Sequence, residues 1–244
     1  MSDQTPLSTA SADRSMIPRN QIEMIWLKAT QNKLALRYID EIKELCATFE
    51  GREDFAEIQF DAKSHIGSIY LLKKSYKKAF AIDLELLPLR SVTHPNYWGI
   101  IYSATFNSAK LGRTAEVRPY VDTYLLATYA KETLFDFDFH LLVLAWYVTH
   151  FPDGKDGSFD EFKPVLSAIV SALDIEVDSS LSFQDRVLFL EQQKVKGAKR
   201  FNELYEKKKA ASAEEWETIL NTYLVNEPIL AYRKLALRRF KKDS

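Results

Sequence analysis

Four histidines, His65, His94, His140 and His150, are the side chains in this sequence best suited to bind a metal or to move a proton near neutral pH. No HxxxH or HExxH pair sets two of them on one helix face, so packing or surface polarity is the favoured reading of each. Asp136, Asp138 and His140 come closest to a polar constellation. On a helix Asp136 and His140 share a face, and a carboxylate there could orient the imidazole. Carboxylates also favour a helix start, which explains the same residues without chemistry and is preferred. The stretch PDGKDGSFDE (152–161) resembles a calcium loop in composition only, because it lacks alternating carboxylates and a closing glutamate at the twelfth place. The lone Cys46 has only Lys43 as a basic neighbour at helical spacing, which argues against reactive-thiol chemistry. No P-loop, GxGxxG, GxSxG or paired-cysteine motif occurs. The expectation is a protein that is not an enzyme and needs no metal or cofactor.

The elements that must carry these side chains are helical. Of 244 residues 46% are apolar and 27% charged, an ordinary globular balance, and only 7 glycines and 8 prolines interrupt the chain. That is too few for an all-β chain of many turns. In DFAEIQFDAKSHIGSIYLLKK, Phe55, Ile58, Ala62, Ile66, Ile69 and Tyr70 fall on one helical stripe. Breaks at Gly51, 88–96, Gly112, 152–157, 174–180 and before Pro228 predict helices near 20–31, 34–49, 53–73, 76–87, 96–111, 115–131, 136–151, 159–173, 182–209, 213–225 and 228–242. LFDFDFH (134–140) alternates like a strand but runs into LLVLAWYVTHF, and is assigned to a helix start. Ser158 with Glu161, and Ser212 with Glu215, have capping-box spacing. Pro228 suits the first turn of the last helix. Short links between helices imply antiparallel hairpins.

The formal net charge is -1, so no global field draws the molecule to nucleic acid or an anionic membrane. The charge is uneven: Lys194 to Ser244 carries 13 basic and 7 acidic side chains, a basic end on an acidic body. Residues 1–20 are too polar to pack and hold no signal-peptide core, and are read as a flexible tail. A single cysteine and no spanning segment lead to a cytoplasmic expectation.

Internal similarity is the most informative feature. GSIYLLKKSYKKAFAIDLELL (67–87), with Ile66, Gly67, Tyr70, Tyr76 and Ala79, resembles a tetratricopeptide repeat. A weaker copy lies 38 residues on, where KLGRTAEV aligns with LKKSYKKA; Ala104, Thr105 and Ser108 supply its small face and Gly112 its turn. The match departs from the pattern at Lys63, where the family has Trp, and at Asp83, where it has a large aromatic. The resemblance implies an all-α fold: antiparallel helical hairpins stacked as a right-handed superhelix over 21–173, closed by a C-terminal helical cap over 174–244. A generic α-α superhelix outside the family is the alternative.

Members of that family are usually protein-interaction scaffolds that hold a peptide or helix in a concave face. One subclass clamps chaperone carboxyl termini with Lys, Asn and Arg. The corresponding inward positions here are Ser64, Ser68, Tyr102 and Phe106, so the clamp is absent and chaperone binding is not expected. The leading expectation is a scaffold binding a peptide or helix through Tyr70, Tyr102 and Phe106, with Trp98 and Asn107 as second choices. Self-association through aromatic stripes stays open, and no membrane partner is expected. The rival is a nucleic-acid-associated regulator using Arg233, Lys234, Arg238, Arg239, Lys241 and Lys242 of the final helix. A solvated end-cap with basic charge complementing the helix dipole explains those residues without a partner.

Overall fold

A computed structural model describes residues 18–31, 36–91, 97–129 and 137–240. It is all-helical, with eleven α-helices among the described residues and no strand beyond an isolated bridge between Lys155 and Ser158. The helices are α1 (Pro18–Gln31), α2 (Arg37–Ala47), α3 (Phe55–Leu72), α4 (Tyr76–Leu86), α5 (Tyr97–Leu111) and α6 (Arg118–Tyr129), then α7 (Phe137–His150), α8 (Lys163–Leu173), α9 (Phe183–Ala210), α10 (Ala213–Asn226) and α11 (Leu230–Phe240). None of the described helices is long and apolar enough to cross a membrane.

The chain divides into two compact units, Met1–Ser91 with Gly99–Val117, and Val92–Trp98 with Arg118–Ser244. The boundary expected at residue 173 therefore falls inside the second unit. Residues 1–17 of the expected tail lie outside the described residues, but 18–20 already belong to α1. Pro18 is buried, and Arg19 pairs with Glu57 at 2.9 Å and Asp61 at 2.7 Å.

In the first unit, Ile22, Ile39, Ile42, Ile58, Ile66 and Ile69 bring α1, α2 and α3 around one core. Contacts fix the helix directions. Arg19 meets Asp61 and Trp26 meets His65, so α1 and α3 run parallel. Lys63 meets Glu85 while Gly67 meets Ile82, so α3 and α4 are antiparallel. A Cβ on Gly67 would sit 3.3 Å from the Ile82 side chain, and Ala79 is fully buried, so small residues set the close approach of this hairpin. The α3 end closes by Ser75 N–H donating to Tyr70 C=O at 2.8 Å, with Lys74 left-handed at φ 57°. Thirty-eight residues on, α5 closes in the same way. Arg113 N–H donates to Ser108 C=O at 2.9 Å, with Gly112 at φ 67°.

In the second unit, α9 lies antiparallel along α7: Gln184 donates to Pro152 C=O at 2.6 Å and Lys194 pairs with Asp138 at 2.9 Å. The C-terminal segment thus packs on α7 and α8. Beyond that contact the far end of α9 joins α10 and α11 in a separate cluster of Leu204, Leu220, Ala236 and Phe240. Gly197 makes the α9–α11 approach possible, since a Cβ there would fall 2.6 Å from two Tyr232 ring carbons and 3.0 Å from Ile229 Cδ1. Gly197→Ala is expected to lower the thermal midpoint. Overpacking of about 1–3 kcal/mol outweighs the roughly 1 kcal/mol gained in helix propensity. A midpoint equal to or above the parent's in a thermal melt would count against this packing.

Caps follow the expected chemistry at one site and depart from it at others. Ser212 and Glu215 form the capping box, with Glu215 Oε2 accepting from the Ser212 N–H at 2.9 Å. Ser158 and Glu161 do not. Left-handed Gly154, Asp156 and Gly157 fold the loop so that Lys155 reaches Glu161 at 2.6 Å, and α8 starts only at Lys163. Ser182 instead supplies an unforeseen cap, accepting from the Asp185 N–H at 3.1 Å. Pro228 lies just before the final helix rather than in its first turn, because Ile229 C=O accepts the first helical bonds.

Candidate functional site

The first unit presents aromatic rings on α5 over a polar lock. One face of this helix is sealed: Ile100, Ile101 and Ala104 are buried, as are Ser103 and Asn107. The adjacent face leaves Tyr102 and Phe106, one helical turn apart, each 38% exposed. Beneath them the carboxylate of Asp83 on α4, itself buried, accepts from Ser103 Oγ at 3.0 Å and Asn107 Nδ2 at 2.8 Å. Asn107 Nδ2 also lies 3.1 Å from Ser103 Oγ. Among the described residues no cation pairs with Asp83. Burial pushes its carboxyl up to about 7, and the two hydrogen bonds work in the other direction. The lock ties α5 to α4 and so fixes the outward set of Tyr102 and Phe106.

Lysines flank these rings. Tyr76 lies 6.0 Å from Phe106, Lys110 Nζ 5.5 Å from the Phe106 ring centre, and Lys78 Nζ 5.3 Å from that of Tyr70. Lys74 and Lys77 are exposed at the same α3–α4 turn. No Asp or Glu occurs in residues 62–82 or 97–115.

The structure corrects one expected contact residue. Asn107 is fully buried, and its amide is committed to Asp83, so it presents nothing to a partner. Tyr70 is half-buried under Lys78. Trp98 is 45% exposed, but it belongs to the second unit and lies against Phe139 with ring centres 4.1 Å apart. Asp83 is the residue that sequence reasoning passed over, noting it only as a departure from the repeat pattern. The signal was available in the four-residue spacing of Ser103 and Asn107, which puts two donors on one face of α5.

Among the basic residues of α11, Lys234 and Arg238 are exposed, Arg239 lies 5.9 Å from the Tyr205 ring, and Arg233 reaches the Pro228 carbonyl at 3.5 Å. Lys241 and Lys242 lie outside the described residues. Nearby cations are engaged: Lys208 lies over Trp216 and Phe240, and Lys209 pairs with Glu206 at 2.7 Å.

The described histidines are separate. His65 packs on Trp26, His140 is fully buried and stacked on Tyr124, His150 faces Trp146, and His94 lies outside the described residues. Asp136 is likewise outside them, and Asp138 pairs with Lys194. Cys46 is buried, and burial raises its thiol pKa. Among the described residues no three His, Cys, Asp or Glu side chains gather to hold a metal ion. No family model matches the chain, and neither the curated proteins nor the solved structures give a match.

Proposed function

We propose that the chain is a non-enzymatic interaction module of tetratricopeptide-like helical hairpins that holds an acidic peptide or helix against the outer face of α5 and the α3–α4 turn. The observation that carries this reading is the exposure of Tyr102 and Phe106 on consecutive turns of a helix whose other face is buried and locked. Large aromatics left at a surface on a rigid support suit partner anchoring. The identical closing bonds of α3 and α5, 38 residues apart, support the repeat reading. The acid-free lysines beside the rings select the charge of the partner.

Panning a peptide display library on the full chain tests the reading. Selected sequences are expected to be acidic, and a Tyr102→Ala/Phe106→Ala chain to bind them about tenfold or more weakly while keeping its helical circular dichroism. Unchanged affinity would remove these rings from the site. Loss of helical signal would assign them to the core. Salt-sensitive capture of nucleic acid, abolished by Lys234→Gln/Arg238→Gln, would favour the basic α11 instead.

A further inference from the structure

In the second unit a cavity of about 410 Å³ runs along one face of α8. Lys163, Leu166, Ser167, Val170 and Ser171 recur at helical spacing to form its floor. Asp174, left-handed at φ 50°, stops α8 and turns the chain back so that Val177 and Ser179 form a second wall. Arg186, in the first turns of α9, completes it.

Of the two cations that line this cavity, Lys163 is paired and Arg186 has no pair among the described residues. No carboxylate lines the cavity. Of the nearby acids, Asp160 holds Lys163 at 2.5 Å, Asp178 accepts from the backbone and hydroxyl of Ser180 at 2.8 and 2.7 Å, and Asp185 accepts from Ser182 Oγ at 2.6 Å, while Asp174 and Glu176 are exposed and do not line the cavity. The Asp178 carboxyl is held low, first by the Ser180 backbone bond and then by its hydroxyl. Arg186 is left without an ion pair or side-chain hydrogen bond, and its Nε is shielded from water with no acceptor. An arginine cannot relieve this by losing its proton, and an unmet buried donor is costly. The exposed hydroxyls of Ser171 and Ser179 also have no partner among the described residues. A planar cation, free hydroxyls and the aliphatic walls of Leu166, Val170 and Val177 therefore face one space.

We propose that this cavity binds a small amphipathic oxyanion, a carboxylate or phosphate ester on a short aliphatic body. The oxyanion would be held by Arg186 with Lys163 and the serine hydroxyls, and the aliphatic part would lie on Val170 and Val177. Guanidinium forks match either head group, and the volume is that of a small-molecule site.

Calorimetric titration of the full chain with butyl phosphate, butyrate, inorganic phosphate and butylamine tests this. One of the two butyl anions is expected to saturate a single site more tightly than inorganic phosphate, with no binding of butylamine; which anion is preferred identifies the head group. Arg186→Gln is expected to weaken binding about tenfold or more. Ser171→Trp, an exposed position on the cavity floor, is expected to block it with Arg186 intact, whereas Lys234→Gln on α11 leaves it unchanged. Absence of saturable binding of both butyl anions up to about 10 mM would overturn the proposal. So would equal binding by the Arg186→Gln and Ser171→Trp chains, or saturable binding of butylamine.

Discussion

Replacing Asp83 by asparagine is expected to make the chain more stable at pH 8 and to remove a fall in stability between about pH 4 and pH 7. In the folded chain burial lifts this carboxyl to about 7, against an ordinary value near 3.9 in an unfolded one. Between those limits the folded state binds the extra proton, so stability drops as pH rises and levels off above about 7. The full shift corresponds to about 4 kcal/mol, an upper bound for the difference between the two chains. Asparagine keeps an acceptor oxygen for Ser103 and Asn107 and carries no charge at any pH. The measurement is urea unfolding of both chains at pH 4.5, 6 and 8. Exposed acids whose pKa values are lowered, such as Asp54, Glu116 and Asp160, are common to both chains and cancel in the difference. Parallel profiles, with no gain at pH 8, would show that Asp83 is not ionised against its surroundings in the folded state.

The helices were legible because their signals are local. Apolar residues at three and four residue steps, a glycine able to take φ 67° at position 112 and a serine three before a glutamate at 212 each act within a few residues of chain. What was not legible depends on distant partners. In PRNQ only the proline fits a helix start, and α1 is held there by Arg19 reaching Glu57 and Asp61 on α3. Glu161 fits a cap by spacing, yet a lysine brought close by the left-handed loop at 154–157 takes its carboxylate. The division near residue 117 follows from which helices pack together, a property of pairs far apart in sequence.

The candidate surfaces divide in the same way. Tyr102 and Phe106 were readable as a stripe, because a four-residue step returns to one face of a helix. Asn107 follows Phe106 by one residue, a rotation of about 100 degrees, which carries it from the exposed face to the buried one. Whether that neighbour was a surface contact or an interior lock depended on the presence of Asp83 across the helix interface. Arg186 gave no signal in FQDRVLF, where an arginine reads as a solvated residue. Its interest lies in the cavity that sets it against the face of α8, a pairing of segments that FQDRVLF does not contain.

The largest mutational loss is expected at a buried acid that does have its cation. Glu227 ends α10, and its side chain is completely buried. Its two oxygens accept from Arg200 Nε at 2.7 Å and from the same guanidinium at 2.8 Å, and one also accepts the Ile229 N–H at 3.1 Å at the start of α11. One carboxylate thus joins α9, the end of α10 and the beginning of α11. Arg200→Ala leaves that charge in the interior with the Ile229 amide and the neighbouring Tyr223 hydroxyl, and removal of one partner of a buried pair costs about 3–5 kcal/mol. Arg200 is itself a third exposed, which admits some water and places the expected loss near about 3 kcal/mol. Arg200→Met with Glu227→Gln removes both charges and keeps the volume, and is expected to recover most of the loss. Urea unfolding followed by tryptophan fluorescence reads both, since Trp216 packs 5.1 Å from Phe240 in the same cluster. If the double variant is no more stable than Arg200→Ala, the pair contributes packing alone, and the electrostatic account of this junction fails.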